Sequence, residues 1–160
     1  MTFQLDIPLM TMQALNPSSS MQKELGWKIG LSCTGVQQAE TIRAALQRRM
    51  DNGERLFDSV QATWNLLEQS AGMALLEAHE EGMHVIVKEG MANGRLLAQA
   101  DGERPLGGSV AGHSAVAATA LAAAAKRLGA TPDAVALAAI IAQPFNPMVL
   151  SGAATVEHLR

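Results

Sequence analysis

The stretch HVIVKEGMANGRL (residues 84–96) decides the fold, because a run of Val and Ile passes directly into a polar loop that contains glycine. A short apolar run bounded by loop residues is typical of a strand that is buried on both faces of a parallel sheet. Parallel strands need a crossover between them, usually a helix. The sequence on both sides of residues 84–96 is therefore expected to supply helices and further strands.

Further strands are predicted on both sides, because short apolar runs end there at polar or glycine-rich loops. FDSVQATWNLLE (57–68) contains one such run, and GWKIGLSCTG (26–35) contains another. FQLDI (3–7) and the start of VLSGAATVEHLR (149–160) read in the same way. The predicted strands are residues 3–7, 27–32, 57–63, 84–88 and 148–151.

Helices are predicted between the strands, because apolar residues recur there at intervals of three and four. Val36, Ala39, Ile42 and Leu46 form one such stripe. Thr131 followed by Pro132 marks a helix start, since Thr is a good N-cap and Pro is tolerated in the first turn. The predicted helices are 36–50, 66–81, 114–128 and 132–142, with a long polar loop over 90–112. This alternation predicts an α/β fold of about five parallel strands with right-handed crossovers.

The composition predicts a single domain, residues 1–160, in the cytoplasm. Hydrophobic residues make up 48% of the chain, whereas aromatic residues make up 3% and Tyr is absent. Cys33 is the single cysteine, which excludes an internal disulfide and indicates a reducing compartment. MTFQLDIPLM (1–10) does not read as a signal peptide, and the Ala-rich run 115–125 does not read as a membrane span.

The charge balance predicts neither a nucleic-acid nor a membrane partner. The formal net charge is −3, so no broad basic surface would attract a phosphate backbone or an anionic lipid surface. The expected partners are a small molecule or another copy of the chain.

Three groups of phrases resemble one bacterial branch of the aldo-keto reductases, which are NADP-linked carbonyl reductases with a barrel fold. They are QATWNLLE (61–68), VIVKE with ANGRL (85–96) and VLSGAATVE (149–157). The resemblance extends over residues 26–160. It implies that the chain is a partial (half) TIM barrel similar to strands four to eight of the family's barrel.

The length and the missing Tyr limit the function that this resemblance implies. A closed barrel of this kind needs roughly 250 residues, and the chain has 160. The family's catalytic Asp, Tyr and Lys come from the half of the barrel that is not matched here, and its His position falls on Asp6, whose charge has the wrong sign for a developing oxyanion. The expected function is a truncated aldo-keto reductase-like half-barrel without the family's reductase activity.

The resemblance also implies a dinucleotide site for NADP. One group of residues would contact the nicotinamide amide, a second would lie where an aromatic ring often stacks, and a third would receive the phosphate through backbone N–H groups at a helix start. Glu89 is not aromatic, and Gly152 replaces a basic residue of many relatives. The implied contacts are Ser32, Cys33 and Gln61 in the first group, Glu89 and Gly90 in the second, and Gly152, Ala153, Thr155 and His158 in the third.

Polar residues at the carboxyl ends of strands suggest a second chemistry, since barrel active sites lie at that edge. Cys33 with His113 or His158 would form a nucleophile and base pair. Hydrolysis of a small molecule, through Cys33 or a metal-bound water, is therefore an alternative function, and remnants of an ancestral pocket are the simpler interpretation. The candidate catalytic residues are Cys33, Asp6, Lys88 and His113.

No metal site is predicted in the His- and Glu-rich segment. His79, Glu80 and His84 lie where a helix ends and the next strand begins, at the edge opposite the catalytic one. A solvated surface is expected there.

Self-association is predicted from the open sheet. Parallel strands with two free edges expose unpaired backbone groups and one apolar face. The sheets, or the Ala-rich helical faces of residues 114–142, are expected to bury one another in a homodimer. A non-enzymatic, self-associating module is thus a third function.

Overall fold

The computed structural model describes residues 3–4, 25–97, 111–153 and 156 as an α/β fold built on a parallel sheet. The sheet has five strands, and neighbouring strands are parallel. Their order in the sheet follows their order in the chain, which is compatible with a segment of a barrel. The strands are β1 Phe3–Gln4, β2 Gly30–Ser32, β3 Ser59–Thr63, β4 His84–Lys88 and β5 Met148–Val149.

Helices connect the strands, as the alternating pattern predicts. One helix lies between β2 and β3, one between β3 and β4, and two between β4 and β5. A short 3-10 helix, Ala92–Gly94, follows β4. The α-helices are α1 Gln38–Leu46, α2 Gly72–Glu80, α3 Ala111–Leu128 and α4 Pro132–Ile141.

The two best-specified boundaries agree with the sequence. The strand predicted over 84–88 is observed as β4 over the same residues. Helix α4 begins at Pro132, and the Oγ1 of Thr131 accepts a hydrogen bond from the amide of Ala134 at 3.4 Å. This side chain satisfies one of the amides that have no partner within the helix.

Helix α2 begins six residues later than the predicted start at Leu66, and Asn65 is the reason. Its Oδ1 accepts hydrogen bonds from the amides of Leu67 and Glu68, both at 2.9 Å. The backbones of Asn65 and Glu68 also pair. These bonds close a turn that occupies the amides that a helix would have used, so the prediction of a helix from Leu66 is wrong there.

Strand β2 is shorter than the predicted 27–32, because Asp58 takes over the bonds of its first residues. The amide of Ile29 donates to Oδ2 of Asp58 at 2.8 Å, and the carbonyl of Ile29 accepts from the amide of Asp58 at 2.7 Å. Helix α1 is likewise shorter than 36–50, because Arg49 pairs with Arg55 in an antiparallel bridge at its carboxyl end. Val36, predicted on its apolar stripe, precedes the helix and is 91% exposed, so that part of the prediction is wrong. Local polar contacts thus replace the ends of both predicted elements.

The two faces of the sheet differ in what covers them. Alternate residues of β3 and β4, namely Val60, Ala62, Val85 and Val87, are buried in the main core with residues of α1 and α2. We call this the helix-covered face. The residues between them lie on the opposite face, which carries Ser59, Gln61 and Thr63 from β3, His84, Ile86 and Lys88 from β4, and Ser32 from β2.

Trp64 packs in the core. Its ring meets that of Phe145 edge to face, with centroids 5.8 Å apart and an angle of 70° between the planes. Both side chains are buried. This contact ties the exit of β3 to the connection between α4 and β5.

Three parts of the predictions lie outside the described residues. They are the end of the first predicted strand, most of the predicted loop over 90–112, and the helix start expected at Thr155. Within the described ranges, no helix combines the length and the apolar character that a membrane crossing needs.

Candidate functional site

Side chains from three neighbouring strands meet on the opposite face, near the carboxyl ends of the strands. In the sheet register, Ser32 of β2 lies beside Gln61 of β3, and Thr63 of β3 lies beside Lys88 of β4. Adjacent strands are about 4.8 Å apart, so these side chains lie within reach of one another. We call Ser32, Gln61, Thr63 and Lys88 the polar cluster.

Hydrogen bonds connect the polar cluster across the sheet. Nζ of Lys88 donates to Oγ of Ser32 at 3.3 Å. Oγ of Ser32 in turn donates to Oε1 of Gln61 at 2.8 Å. Ser32 is buried, whereas Gln61 and Lys88 are half-buried. The hydroxyl of Ser32 therefore holds the ammonium group of Lys88 in a partly desolvated position.

Lys88 has no acidic partner among the described residues. The ion pairs there are Lys28 with Asp58 at 3.2 Å and Arg43 with Glu77 at 2.8 Å. Both involve side chains that are largely or partly exposed. A half-buried ammonium group without a carboxylate retains an electrostatic preference for an anion.

Thr63 places an unsatisfied hydroxyl in the polar cluster. The residue is 7% exposed, and its Oγ1 has no hydrogen-bond partner. Its backbone is satisfied, because the side-chain amide of Gln38 donates to the Thr63 carbonyl at 3.0 Å and accepts from the Thr63 amide at 3.1 Å. The lone hydroxyl is notable, since a buried polar atom without a partner costs stability.

Cys33 lies on the other side of the sheet from Ser32. It belongs to the main core and is 4% exposed. Burial raises the pKa of its thiol from 9.0 to about 11, although the charge of Lys88 lowers it in part. At neutral pH the thiol is therefore protonated, which argues against its proposed roles as a nucleophile and as a cofactor contact.

The segment after β4 is fixed by backbone contacts. Glu89 has a φ of 57°, and its carbonyl accepts a hydrogen bond from Nδ2 of Asn65 at 2.9 Å. Gly90 is buried against α4, because a Cβ there would lie 2.9 Å from Cδ1 of Ile140. Glu89 and Gly90 thus connect elements of the fold, and neither supplies an aromatic ring that could stack on a nicotinamide.

Asn65, the polar residue that follows β3 at this edge, has a structural role. It is fully buried and joins the exits of β3 and β4 through its side chain. The Asn directly after a strand is the sequence signal that could have predicted a turn here in place of the helix from Leu66.

The remaining predicted residues do not join the polar cluster in the described part of the chain. Gly152 is exposed with a φ of 70°, and the amide of Ala153 donates to Oγ of Ser151 at 3.3 Å. His113 lies in the first turn of α3, and only its backbone is described. Asp6, Thr155 and His158 lie outside the described residues.

The described residues hold no group of three or more His, Cys, Asp or Glu side chains placed to bind a metal ion. A cleft of about 460 Å³ lies at the amino edge of the sheet, away from the polar cluster. Barrel enzymes bind at the carboxyl edge, and Lys28 and Asp58 in this cleft already pair with each other. We therefore place the candidate site at the polar cluster. The cleft is lined by Gly26, Trp27, Lys28, Met50, Glu54, Arg55 and Asp58.

Comparison with known proteins does not identify a family for this chain. No protein-family model matches the sequence, and neither a curated protein nor a solved structure matches it. The resemblance to aldo-keto reductases stays a prediction that rests on the phrases quoted above.

Proposed function

We propose that the chain is a partial barrel of the aldo-keto reductase type whose polar cluster binds the nicotinamide end of a dinucleotide such as NADP. The hydrogen bond between Ser32 and Gln61 supports this proposal, because it presents a hydroxyl and an amide side by side at the carboxyl ends of adjacent strands. The parallel sheet with strands in chain order is the arrangement that such a barrel requires.

Binding is proposed without carbonyl reduction by the family's mechanism. That mechanism needs a Tyr as proton donor, and these 160 residues contain none. The thiol of Cys33 does not replace it, since it is buried on the helix-covered face. The proposed role is therefore recognition of a ligand by the polar cluster, and hydrolysis through Cys33 is not favoured.

Thermal unfolding with and without ligand tests this proposal. A ligand whose free concentration is 100 times its dissociation constant stabilises the folded state by about 2.7 kcal/mol. We expect the unfolding temperature to rise with NADP or NAD in the wild type. The rise should be smaller in Gln61→Leu, which removes the amide from a half-buried position.

The matched control is Gln69→Leu, because Gln69 is exposed and outside the polar cluster. It should keep the full response. A wild type whose unfolding temperature stays constant up to millimolar NADP and NAD would refute dinucleotide binding. Equal responses in Gln61→Leu and wild type would place the ligand elsewhere.

A further inference from the structure

The polar atoms of the cluster that remain free are mostly hydrogen-bond donors. Ser32 uses its single proton on Gln61, whose Oε1 accepts it on one of its two lone pairs. Nε2 of Gln61 has no partner in the described part of the chain. A ligand entering the cluster therefore meets an amide group that still offers both of its N–H donors.

Lys88 extends the same donor surface. Nζ of Lys88 carries three N–H donors, and its bond to Ser32 uses one of them. Thr63 lies next to Lys88 in the register, and its buried Oγ1 has no partner to receive its proton. Gln61 and Lys88 thus offer unused donors at half-buried positions, and Lys88 is positively charged, whereas the Thr63 hydroxyl is enclosed.

We propose that the polar cluster binds the carboxylate group of a small molecule, with Lys88 as its counter-ion and Gln61 as a hydrogen-bond donor. A carboxylate accepts through both oxygens and has no proton to place, so it suits a surface of donors. A carboxamide has the same shape but must place two N–H protons. The inference rests on the proposal that this cluster is a binding site, but it changes the preferred ligand from the carboxamide of a nicotinamide to a carboxylate, of which the carboxamide is the weaker analogue.

Charge decides between the two groups. Hydrogen bonds to charged groups contribute more than neutral ones, and a half-buried ammonium group strengthens the difference. Lys88 lies in such a position and has no acidic partner in the described ranges. We therefore expect a carboxylate to bind roughly 10- to 100-fold more tightly than the corresponding amide.

Nicotinate and nicotinamide are suitable probes, because they differ only in the group that would contact the cluster, a carboxylate in one and a carboxamide in the other. Dissociation constants for both are measured at neutral pH by titration calorimetry or by NMR chemical shifts. Wild type should bind nicotinate more tightly by the factor given above. Lys88→Gln should lose this preference, whereas Lys126→Gln, an exposed lysine on α3, should keep it.

Thr63→Val separates binding from folding. Valine has the shape of threonine without the hydroxyl, and removing an unsatisfied buried hydroxyl leaves stability unchanged or raises it. The variant should therefore unfold at the same or a higher temperature than wild type and bind nicotinate as tightly, because the enclosed Oγ1 does not contact the ligand. A loss of affinity together with intact folding would contradict this assignment of Lys88 and Gln61 as the groups that contact the ligand.

The carboxylate inference fails if nicotinamide binds as tightly as nicotinate, or if neither binds at concentrations up to tens of millimolar. It also fails if Lys88→Gln retains the preference. The dinucleotide proposal is judged separately by the response of the unfolding temperature to NADP. A positive response with no preference for nicotinate would keep the proposed function and remove only the carboxylate assignment.

Discussion

The two faces of the sheet are made by alternate residues of the same strands, yet they are built from different chemistry. On the helix-covered face, β3 and β4 contribute Val and Ala side chains that are fully or almost fully buried. On the opposite face, the same strands contribute Gln61, Thr63 and Lys88. One face supplies the packing that holds the fold, and the other supplies the groups that a ligand would contact.

This difference teaches that stability and recognition can be changed separately here. Substitutions on the helix-covered face remove contacts within a closely packed core, where lost volume is poorly compensated. Substitutions on the opposite face alter polar side chains that make few hydrogen bonds within the protein. The contrast between the faces is therefore expected to appear as a contrast in unfolding free energy.

The largest effect is expected for Leu75→Ala, which tests the helix-covered face. Leu75 on α2 is fully buried in the main core. Truncation leaves a cavity and should lower the free energy of unfolding by about 2–5 kcal/mol. Chemical denaturation measures this change. Met73→Ala, on the same helix but 65% exposed, is the matched control and should change stability far less.

Equal losses in these two variants would mean that α2 does not pack on the sheet through Leu75. The comparison between the faces would then have no energetic basis.

An effect of intermediate size is expected from Cys33, because its thiol lies on the helix-covered face while Ser32 beside it does not. Its pKa is raised from 9.0 to about 11, so above pH 9 the unfolded chain loses this proton before the folded protein does. Stability should therefore fall as pH rises from 9 to 11, by on the order of 2–3 kcal/mol. Below pH 9 this contribution is fully present.

Chemical denaturation of wild type and Cys33→Ala across this pH range isolates the thiol. Lysine side chains titrate in both proteins, and Tyr is absent from the sequence, so the difference between the two curves reports Cys33. The variant should lose stability less steeply between pH 9 and 11. Parallel curves would show that the thiol ionises equally in the folded and unfolded states and is not desolvated.

The smallest effect on folding, but a measurable one on assembly, is expected on the opposite face. Met148 is 67% exposed and lies beside half-buried Ile86 in the register, so an apolar pair adjoins the polar cluster. We propose that a second copy of the chain covers this pair in a homodimer. Met148→Glu should leave the unfolding temperature of a dilute sample nearly unchanged and weaken self-association.

Sedimentation at micromolar concentration measures the mass of both proteins. Val116→Glu is a control for added charge, since Val116 is exposed on α3, away from the sheet edge. A wild type that sediments as a monomer would remove the homodimer from the proposal. If Met148→Glu does not weaken the dimer, the interface lies on another surface.

The parts of the fold that the sequence predicts well are those that depend on apolar pattern. The run of Val and Ile gives β4 its bounds, and the Thr131–Pro132 pair gives α4 its start. The errors occur where one polar side chain takes the bonds of an element's end. Asn65 delays α2, and Asp58 shortens β2, because each side chain competes with the backbone for the same amides.

The candidate site is predictable only in part, because its members depend on the register between strands. Ser32, Gln61 and Lys88 are named from the sequence, but their hydrogen bonds follow from how the strands align. Thr63 was missed because a β-branched residue in a strand reads as ordinary packing. Cys33 was grouped with Ser32, although alternation along a strand places neighbouring side chains on opposite faces.

Gln38 shows how the sheet could tolerate change over evolution. The fully buried side-chain amide of Gln38 forms hydrogen bonds with both backbone groups of Thr63. The first residue of α1 thus supplies the bonds that a longer β2 would otherwise have made with β3. These hydrogen bonds come from a residue of the helix and not from the loop before it. Insertions and deletions between β2 and α1 can therefore accumulate without loss of this bond, provided that the helix keeps its place on the sheet.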